Sequence, residues 1–413
     1  MKYDLTIMGL GYIGLPMAAL SASAGMNVLG VDIREDVVNT VNAGKIHIEE
    51  PGLAEIVAPA VSDGKLRADV KPAASEIFMI AVPTPVDHRT HQPDMAMVRS
   101  AASMIAAVVE AGNLVILQST SPVGSTENSV KAVIEKIRPE LAGKIEYVYC
   151  PERAIPGKTI HEMIHNDRAV GGLTLNATRR GIAFYKKQVK GKLLETDAAT
   201  AEMVKLVENA SRDVQIAFAN ELSLACDAMG LNVWDVIKLA NHHPRVNILQ
   251  PGPGVGGHCI AVDPWFIIDA APEQTPLMRT ARAVNDGKPE WVVSKVKEAA
   301  KGIKNPVICL LGLAYKENVD DFRESPSVTV ADKLIESGLG DVLIVEPFMK
   351  DSDRYRLVPL GEGLNRADIV VHLTAHDTFK AIAPELLEGK KIIDTRGSLP
   401  QPINKRENNA AAG

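Results

Sequence analysis

Aromatic side chains are scarce in this 413-residue chain: seven Phe, seven Tyr and three Trp, 4% of the total. So few rings leave little on which unpaired bases could stack. An excess of cations is absent too, since 45 Lys and Arg face 51 Asp and Glu, a formal charge of −6. No overall positive field gathers a polyanion, and nucleic acid is not an expected partner. Nor is there a run of about 18 uninterrupted apolar residues, so neither a membrane span nor a membrane partner is expected. Cysteine is sparse: Cys150, Cys226, Cys259 and Cys309 stand far apart, without a CxxC pair or a Cys/His ligand spacing. Neither a disulfide framework nor a metal centre follows from them, and a reducing, cytoplasmic setting fits best. The N-terminal stretch MKYDLTIMGLGYIGLPMAALSASAG almost lacks a basic flank and is broken by Asp4 and by Gly9, Gly11 and Gly14, so it does not read as a secretion signal.

What the chain does contain, 46% apolar and 23% charged residues, suffices for two or three domains at roughly 150 residues each. Short Val/Ile-rich runs at 5–8, 28–31, 77–82, 114–117 and 145–149 alternate with helix-length segments. That is the pattern of βαβ units on a parallel sheet. From about Leu194 the rhythm changes: a proline-free stretch runs to Gly230, which predicts one long helix with Thr196 or Asp197 as its N-cap. Beyond a Pro/Gly-rich loop at 243–257 and a helical stretch to about Lys301, strand runs return at 307–311, 342–345, 369–373 and 392–394. The tail NKRENNAAAG is polar and reads as disordered. The expected domains are 1–194, 195–301 and 302–413, the outer two reading as copies of one architecture.

Gly9, Gly11 and Gly14 form a GxGxxG turn directly after the first strand run. The first glycine permits the tight turn, the second lets backbone approach a pyrophosphate, and the third lets helix pack on strand. The second strand run ends in Asp32, 21 residues beyond Gly11, where a carboxylate binds an adenine-ribose diol and repels a 2′-phosphate. NAD is therefore favoured over NADP, although Arg34 stands nearby. A second glycine-rich loop, Gly254-Val255-Gly256-Gly257-His258-Cys259, is followed four residues on by Asp263. Cys259 is the only cysteine in such a loop; the other three lie in apolar runs and read as packing residues. A cysteine there can add to an aldehyde and form a thiohemiacetal from which a second hydride can leave. On the long helix Lys205, Asn209 and Arg212 share one face, which alone would read as a solvated stripe. Opposite a cysteine loop the same stripe offers a cation for an oxyanion and donors for a substrate. Weaker candidates lie in loops: Ser119-Thr120-Ser121, Glu152-Arg153, His243-Pro244-Arg245, and Tyr315-Lys316 with Arg323 beyond.

In order along nearly the whole chain, GLGYIGLP, AVPTP, QSTSPVGST, PERAIPGK, KLVEN, HHPRVNILQPGPGVGGHCIAVDP and GLAYKENVDDFRESPS resemble the UDP-glucose/GDP-mannose dehydrogenase family. The resemblance implies an α/β fold of two Rossmann-like, doubly wound parallel-sheet domains joined by a central long-helix domain. It implies NAD-dependent, four-electron oxidation of a sugar C6 alcohol to a carboxylate. It assigns Cys259 as nucleophile, Lys205 as proton carrier and oxyanion partner, and Asn209 as its hydrogen-bonding neighbour. Asp263 and Glu152 become carboxylates for water activation or proton transfer, with Thr120 close to the reacting centre. NAD contacts are implied at Gly9, Gly11, Tyr12, Ile13, Gly14, Asp32, Thr84, Thr120 and Arg323. Sugar-nucleotide contacts are implied at Arg153, Ala154, Lys205, Asn209, Arg212, His243, Arg245, Gly256, Tyr315 and Lys316. A homodimer through the central helix is also implied, Arg245 reaching toward a neighbouring subunit.

Two residues depart from the UDP-glucose members: Pro156 stands where they carry a second glutamate, and His258 where many have serine. Both weaken a glucose assignment, and the stretch through GPGVGGHCIAVDPWF is most similar to members acting on UDP-N-acetylmannosamine. UDP-N-acetylglucosamine, then UDP-glucose, are the alternative substrates. A two-electron 3-hydroxyacid dehydrogenase is a more distant alternative that would have no use for Cys259.

Overall fold

The computed structural model describes residues 2–400 apart from His88, Arg89, Pro156 and His258. Pro156, His258 and the tail at 404–413, singled out above, thus lie outside the described residues. The chain divides into two compact units, Met1–Glu208 with Trp265–Pro272, and Asn209–Pro264 with Glu273–Gly413.

In the first unit β1 (Tyr3–Met8), β2 (Val28–Val31), β3 (Leu66–Asp69), β4 (Ser75–Ile80), β5 (Leu114–Leu117), β6 (Glu146–Tyr149), β7 (Arg168–Gly172) and β8 (Leu193–Asp197) form one sheet. Their order is β3-β2-β1-β4-β5-β6-β7-β8. Strands β1 to β6 all pair in parallel. β2 and β5 are buried at every residue, because apolar layers cover both faces. Alternation along β1 supplies them both: Leu5 and Ile7 enter one apolar cluster and Met8 the other. The α/β expectation holds, with one correction to the parallel sheet. β7 runs antiparallel to β6, and β8 follows β7. The connection from β6 to β7, residues 150–167, carries the helix Thr159–His165.

The long helix is Ala198–Ala228, and the residues just before it, Leu193–Asp197, form the eighth strand. Asp197 is the N-cap as expected. Its Oδ1 accepts the Thr200 N–H at 2.9 Å and its Oδ2 the Thr200 hydroxyl at 2.7 Å, which holds its carboxyl below the usual range. Among the described residues no helix is long and apolar enough to cross a membrane.

In the second unit β9 (Val307–Leu311), β10 (Asp341–Val345), β11 (Ile369–His372) and β12 (Lys391–Asp394) form a parallel sheet in the order β10-β9-β11-β12. Helices Pro276–Ala299 and Pro326–Glu336 supply Val292, Val296, Val330 and Leu334 to a core with Ile308, Leu310, Ile344 and Val371. Burial of each such side chain contributes about 1.5–3 kcal/mol. A buried polar ladder joins the long helix to Pro276–Ala299. Asp213 Oδ1 pairs with Arg282 Nη1 at 2.6 Å and accepts from Asn285 Nδ2 at 2.8 Å. Asn285 Oδ1 accepts from Asn220 Nδ2 at 2.8 Å, and Lys288 Nζ donates to Ser223 Oγ at 2.8 Å.

Lys288 is 2% exposed, and burial pulls its ammonium from the ordinary 10.5 down to about 8. Between those values the unfolded chain binds more protons than the folded one, so stability rises with pH across that window. Below about pH 8 the burial penalty is fully present. Relative to Lys288→Met, the wild type is expected to gain up to about 3 kcal/mol between pH 8 and 10.5, read by denaturant unfolding. Parallel pH profiles for the two proteins would refute this.

Candidate active site

The first unit builds its ligand edge from the turn after β1. Gly9 has φ +93°, and its N–H reaches the Val31 carbonyl at 2.7 Å. A Cβ on Gly14 would lie 1.8 Å from the Gly9 oxygen, so only glycine lets helix Gly14–Ser23 start against the strand. A Cβ on Gly11 would meet nothing within 4 Å, leaving open space above the turn. No side chain caps that helix, and its first turn holds no acid. Its N–H groups and dipole thus suit a pyrophosphate. Asp32 closes β2: Oδ2 accepts from the Leu10 N–H and Oδ1 from the Arg34 N–H, both at 3.0 Å. Tyr12 and Ile13 lie in the same turn, Tyr12 exposed and Ile13 half-buried. These residues fit NAD: a turn with room over Gly11, an uncapped helix start, and a carboxylate at the end of the second strand.

Other residues of the same unit follow further strands. After β4 the Thr84 hydroxyl donates to the Thr120 carbonyl, which follows β5, at 2.6 Å. After β6 the buried Glu152 holds the amides of Arg153 at 2.8 Å and Ala154 at 3.0 Å. The Arg153 guanidinium pairs with Glu208 at 2.6 Å. Lys205 lies on the long helix and is buried.

The second unit carries the remainder. Cys226 and Cys309, like Cys150 of the first unit, are buried as their apolar surroundings predict, and Cys259 is the exposed cysteine. The Cys259 carbonyl accepts the Asp263 N–H at 2.8 Å, closing the turn that opens helix Asp263–Ala270. Asp263 is buried, and its Oδ2 accepts from Asn209 Nδ2 at 2.5 Å. The glycine loop before Cys259 lies against Tyr315. A Cβ on Gly257 would come within 2.9 Å of that ring, and one on Gly256 within 2.9 Å of the Tyr315 Cβ. Burial pushes the Tyr315 hydroxyl up, and the Asp321 carboxylate adds to this. Arg212, His243, Arg245, Lys316 and Arg323 are exposed. The His243 ring accepts from the Arg245 N–H at 3.3 Å, and Arg323 pairs with Asp321 at 2.7 Å.

The turn after β9 repeats the first unit's cradle. Gly312 has φ +92°, its N–H reaches the Val345 carbonyl at 2.9 Å, and Glu346 at the end of β10 accepts the Leu313 N–H at 2.6 Å. Burial pushes the Glu346 carboxyl up, but the His376 ring and two amides outweigh it and hold it below the usual range. Sequence reasoning missed Asn220, whose Oδ1 accepts the Gly252 N–H at 2.8 Å and so anchors the loop that leads to Cys259. The available signal was polar residues at helical spacing in apolar surroundings, Asp213 and Asn220 on one helix and Arg282, Asn285 and Lys288 on the other.

Sequence profiles of the UDP-glucose/GDP-mannose dehydrogenase family match in three blocks: its NAD binding domain at residues 3–189, its central domain at 199–287 and its UDP binding domain at 309–401. The chain belongs to this family. It is 50% identical to the UDP-N-acetyl-D-mannosamine dehydrogenase of Yersinia pestis, over 95% of this chain and 98% of the other. It is 49% identical to the NDP-N-acetyl-D-galactosaminuronic acid dehydrogenase of Ralstonia nicotianae, over 95% of each. The solved UDP-D-ManNAc dehydrogenase of Pyrococcus horikoshii superposes with a TM-score of 0.89 at 36% identity, covering 97% of this chain and 96% of that one. The protein is accordingly an NAD-dependent UDP-sugar dehydrogenase of the UDP-glucose/GDP-mannose dehydrogenase family.

In this family member the cradle's two inner glycines are expected to respond differently to alanine. Gly14→Ala forces backbone apart and costs about 3 kcal/mol or more, lowering Tm. Gly11→Ala leaves Tm near the wild type and weakens NAD binding in a calorimetric titration. Equal loss of stability in both would contradict the geometry.

Proposed function

We propose that the protein oxidises UDP-N-acetylmannosamine at C6 to the uronate, with Cys259 holding the sugar between the two oxidations. The observation that carries this is the exposed Cys259 in a glycine-built turn whose Asp263 carboxylate is hydrogen-bonded to Asn209. NAD, when bound, takes up one hydride in each oxidation. The Cys259 thiolate adds to the aldehyde carbon, forming a C–S bond and a thiohemiacetal; loss of the second hydride leaves a thioester. Water then attacks that carbonyl, the C–S bond breaks, and the thiolate is regenerated. Lys205 carries the proton of the C6 hydroxyl and faces the oxyanion as a cation, with Asn209 as a donor. Thr120 stands by the reacting carbon, and Asp263 and Glu152 are the carboxylates of proton transfer.

Arg153, Ala154, Arg212, His243, Arg245, Gly256, Tyr315 and Lys316 are assigned to the nucleotide sugar, and Thr84 and Arg323 to NAD beside the glycine cradle. The division 1–194, 195–301 and 302–413, the cytoplasmic setting and a homodimer through the central helix belong to the same reading. The N-acetylmannosamine assignment is supported by the Yersinia pestis relative at 50% identity. An N-acetylgalactosamine nucleotide is the second reading, supported by the Ralstonia nicotianae relative at 49%.

The test is a panel of UDP-N-acetylmannosamine, its gluco and galacto epimers and UDP-glucose, with NADH counted per sugar consumed. Two NADH per sugar, fastest with the manno epimer, supports the reading; one NADH, or no turnover with any of them, sinks it. Cys259→Ser is expected to lose net acid formation, because an alkoxide is a poorer leaving group than a thiolate. Normal acid production by that variant would rule out covalent catalysis at Cys259.

A further inference from the structure

The segment that follows β9 and carries Tyr315 and Lys316 is fixed at its start by backbone contacts. Glu346 Oε2 accepts the N–H of Leu313 at 2.6 Å and of Ala314 at 3.2 Å. The Leu313 carbonyl accepts the Ser325 hydroxyl at 2.6 Å, and the Ala314 carbonyl accepts the Thr374 hydroxyl at 2.7 Å. The segment ends at Asn318, whose φ of +57° lies in the left-handed region that asparagine tolerates better than most side chains. There the backbone N–H donates to His376 Nδ1 at 2.9 Å.

His376 has no exposed surface, and its ring packs against Phe348 and Phe379, with centroids 5.0 Å and 5.5 Å away. A backbone N–H can only donate, so the nitrogen that meets Asn318 is the bare one. A neutral imidazole then carries its proton on Nε2. Nε2 lies 3.3 Å from Glu346 Oε2, the oxygen that already holds Leu313 and Ala314. One ring thus ties both ends of the segment 313–318 together. The Asn318 side chain closes a second contact on the same turn: Nδ2 donates to Asp377 Oδ2 at 2.9 Å, and Oδ1 accepts the Asp377 N–H at 3.1 Å.

Tyr315 and Lys316 lie between these fixed ends. The Tyr315 N–H reaches the Asp321 carbonyl at 3.2 Å, and its ring is the surface against which Gly257 of the Cys259 loop lies. Losing the Asn318 contact leaves the Glu346, Ser325 and Thr374 bonds in place, so the consequence falls on where the two side chains point and not on the sheet behind them.

We propose that His376 is a positioning residue for the nucleotide sugar: its neutral ring, bridging Glu346 and Asn318, sets the backbone that presents Tyr315 and Lys316. This rests on the function proposed above for what those two side chains meet.

Two substitutions each keep one half of the bridge. The amide of His376→Asn reaches the place of Nδ1 and offers its oxygen to the Asn318 N–H, giving up Glu346. The longer His376→Gln reaches the place of Nε2 and keeps Glu346, leaving the Asn318 N–H without its acceptor. His376→Gln is expected to raise KM for the nucleotide sugar about tenfold, the worth of one hydrogen bond, with kcat and KM for NAD near the wild type. His376→Asn is expected to stay within about threefold of the wild type on the same reasoning. A KM raised equally in both, more in His376→Asn, or in neither, overturns the proposal, as does a loss confined to kcat.

Nitrogen-15 spectra of the histidine-labelled wild type read the ring without relying on a variant's stability, the His376 signals being identified by their absence from either one. A bare Nδ1 and a protonated Nε2 are expected at pH 8; the reverse tautomer, or protons on both nitrogens, overturns the proposal. Hydrogen exchange at the Asn318 amide, measured without substrate, should be slow in the wild type and His376→Asn and fast in His376→Gln; equal rates in all three also overturn it. A wild type that oxidises no nucleotide sugar would instead refute the proposed function, and the tautomer and the exchange rates would still decide what His376 holds.

Discussion

Parallel pairing of β1, β2, β4, β5 and β6 delivers the carboxyl ends of five strands to one edge of one sheet. The functional candidates of the first unit depend on that direction. Gly9 follows β1, Asp32 follows β2, Thr84 follows β4, Thr120 follows β5 and Glu152 follows β6. Residues spread over more than 140 positions of sequence thereby reach a common edge without any of them being near another in the chain. Strand order adds the second condition. Because β4 lies on the far side of β1 from β2, the chain winds both ways from β1 and opens a crevice at the turn that carries the glycines.

An edge made of strand ends has a cost: amides leave the sheet without partners. This chain meets it repeatedly with carboxylates. Asp32 accepts Leu10 and Arg34, Glu50 accepts Gly157 and Thr159, Glu202 accepts Gly124 and Thr126, and Glu346 accepts Leu313 and Phe348. Charge-assisted bonds of this kind contribute about 1.5–3 kcal/mol each, and they fix loop backbone where side-chain packing is thin. The excess of acid over base in the composition thus has a structural use within the folded chain. On the function proposed above, a sugar nucleotide's negative charge is met by local cations, not by the net charge.

Legibility followed the range of the interaction. The GxGxxG turn, its spacing to Asp32, the N-cap Asp197 and the separation of Cys259 from three buried cysteines are settled within a few residues of chain, and each was readable. The strands β3, β7 and β8 were not. Leu66–Asp69 alternates over four residues, Arg168–Gly172 carries two glycines and a charge, and Leu193–Asp197 is mostly exposed, so none forms the continuous apolar run of a buried strand. Their existence depends on an edge supplied by strands elsewhere in the sequence.

The sequence by itself determined the α/β class, the nucleotide cradle and which cysteine stands exposed in a glycine-rich loop, because periodicity, glycine and short spacings act through local backbone geometry. Only the tertiary structure decided that β7 turns antiparallel, that Asn220 anchors Gly252, and that the Glu152 oxygens accept hydrogen bonds from Arg153, Ala154, Gln118 and Arg168. Apart from the Arg153 and Ala154 amides beside Glu152, those are pairings across 16 to 34 residues of chain, and no residue type announces its partner at such a distance. A carboxylate reads the same in sequence whatever donors surround it; its hydrogen-bond partners are set by the packed fold.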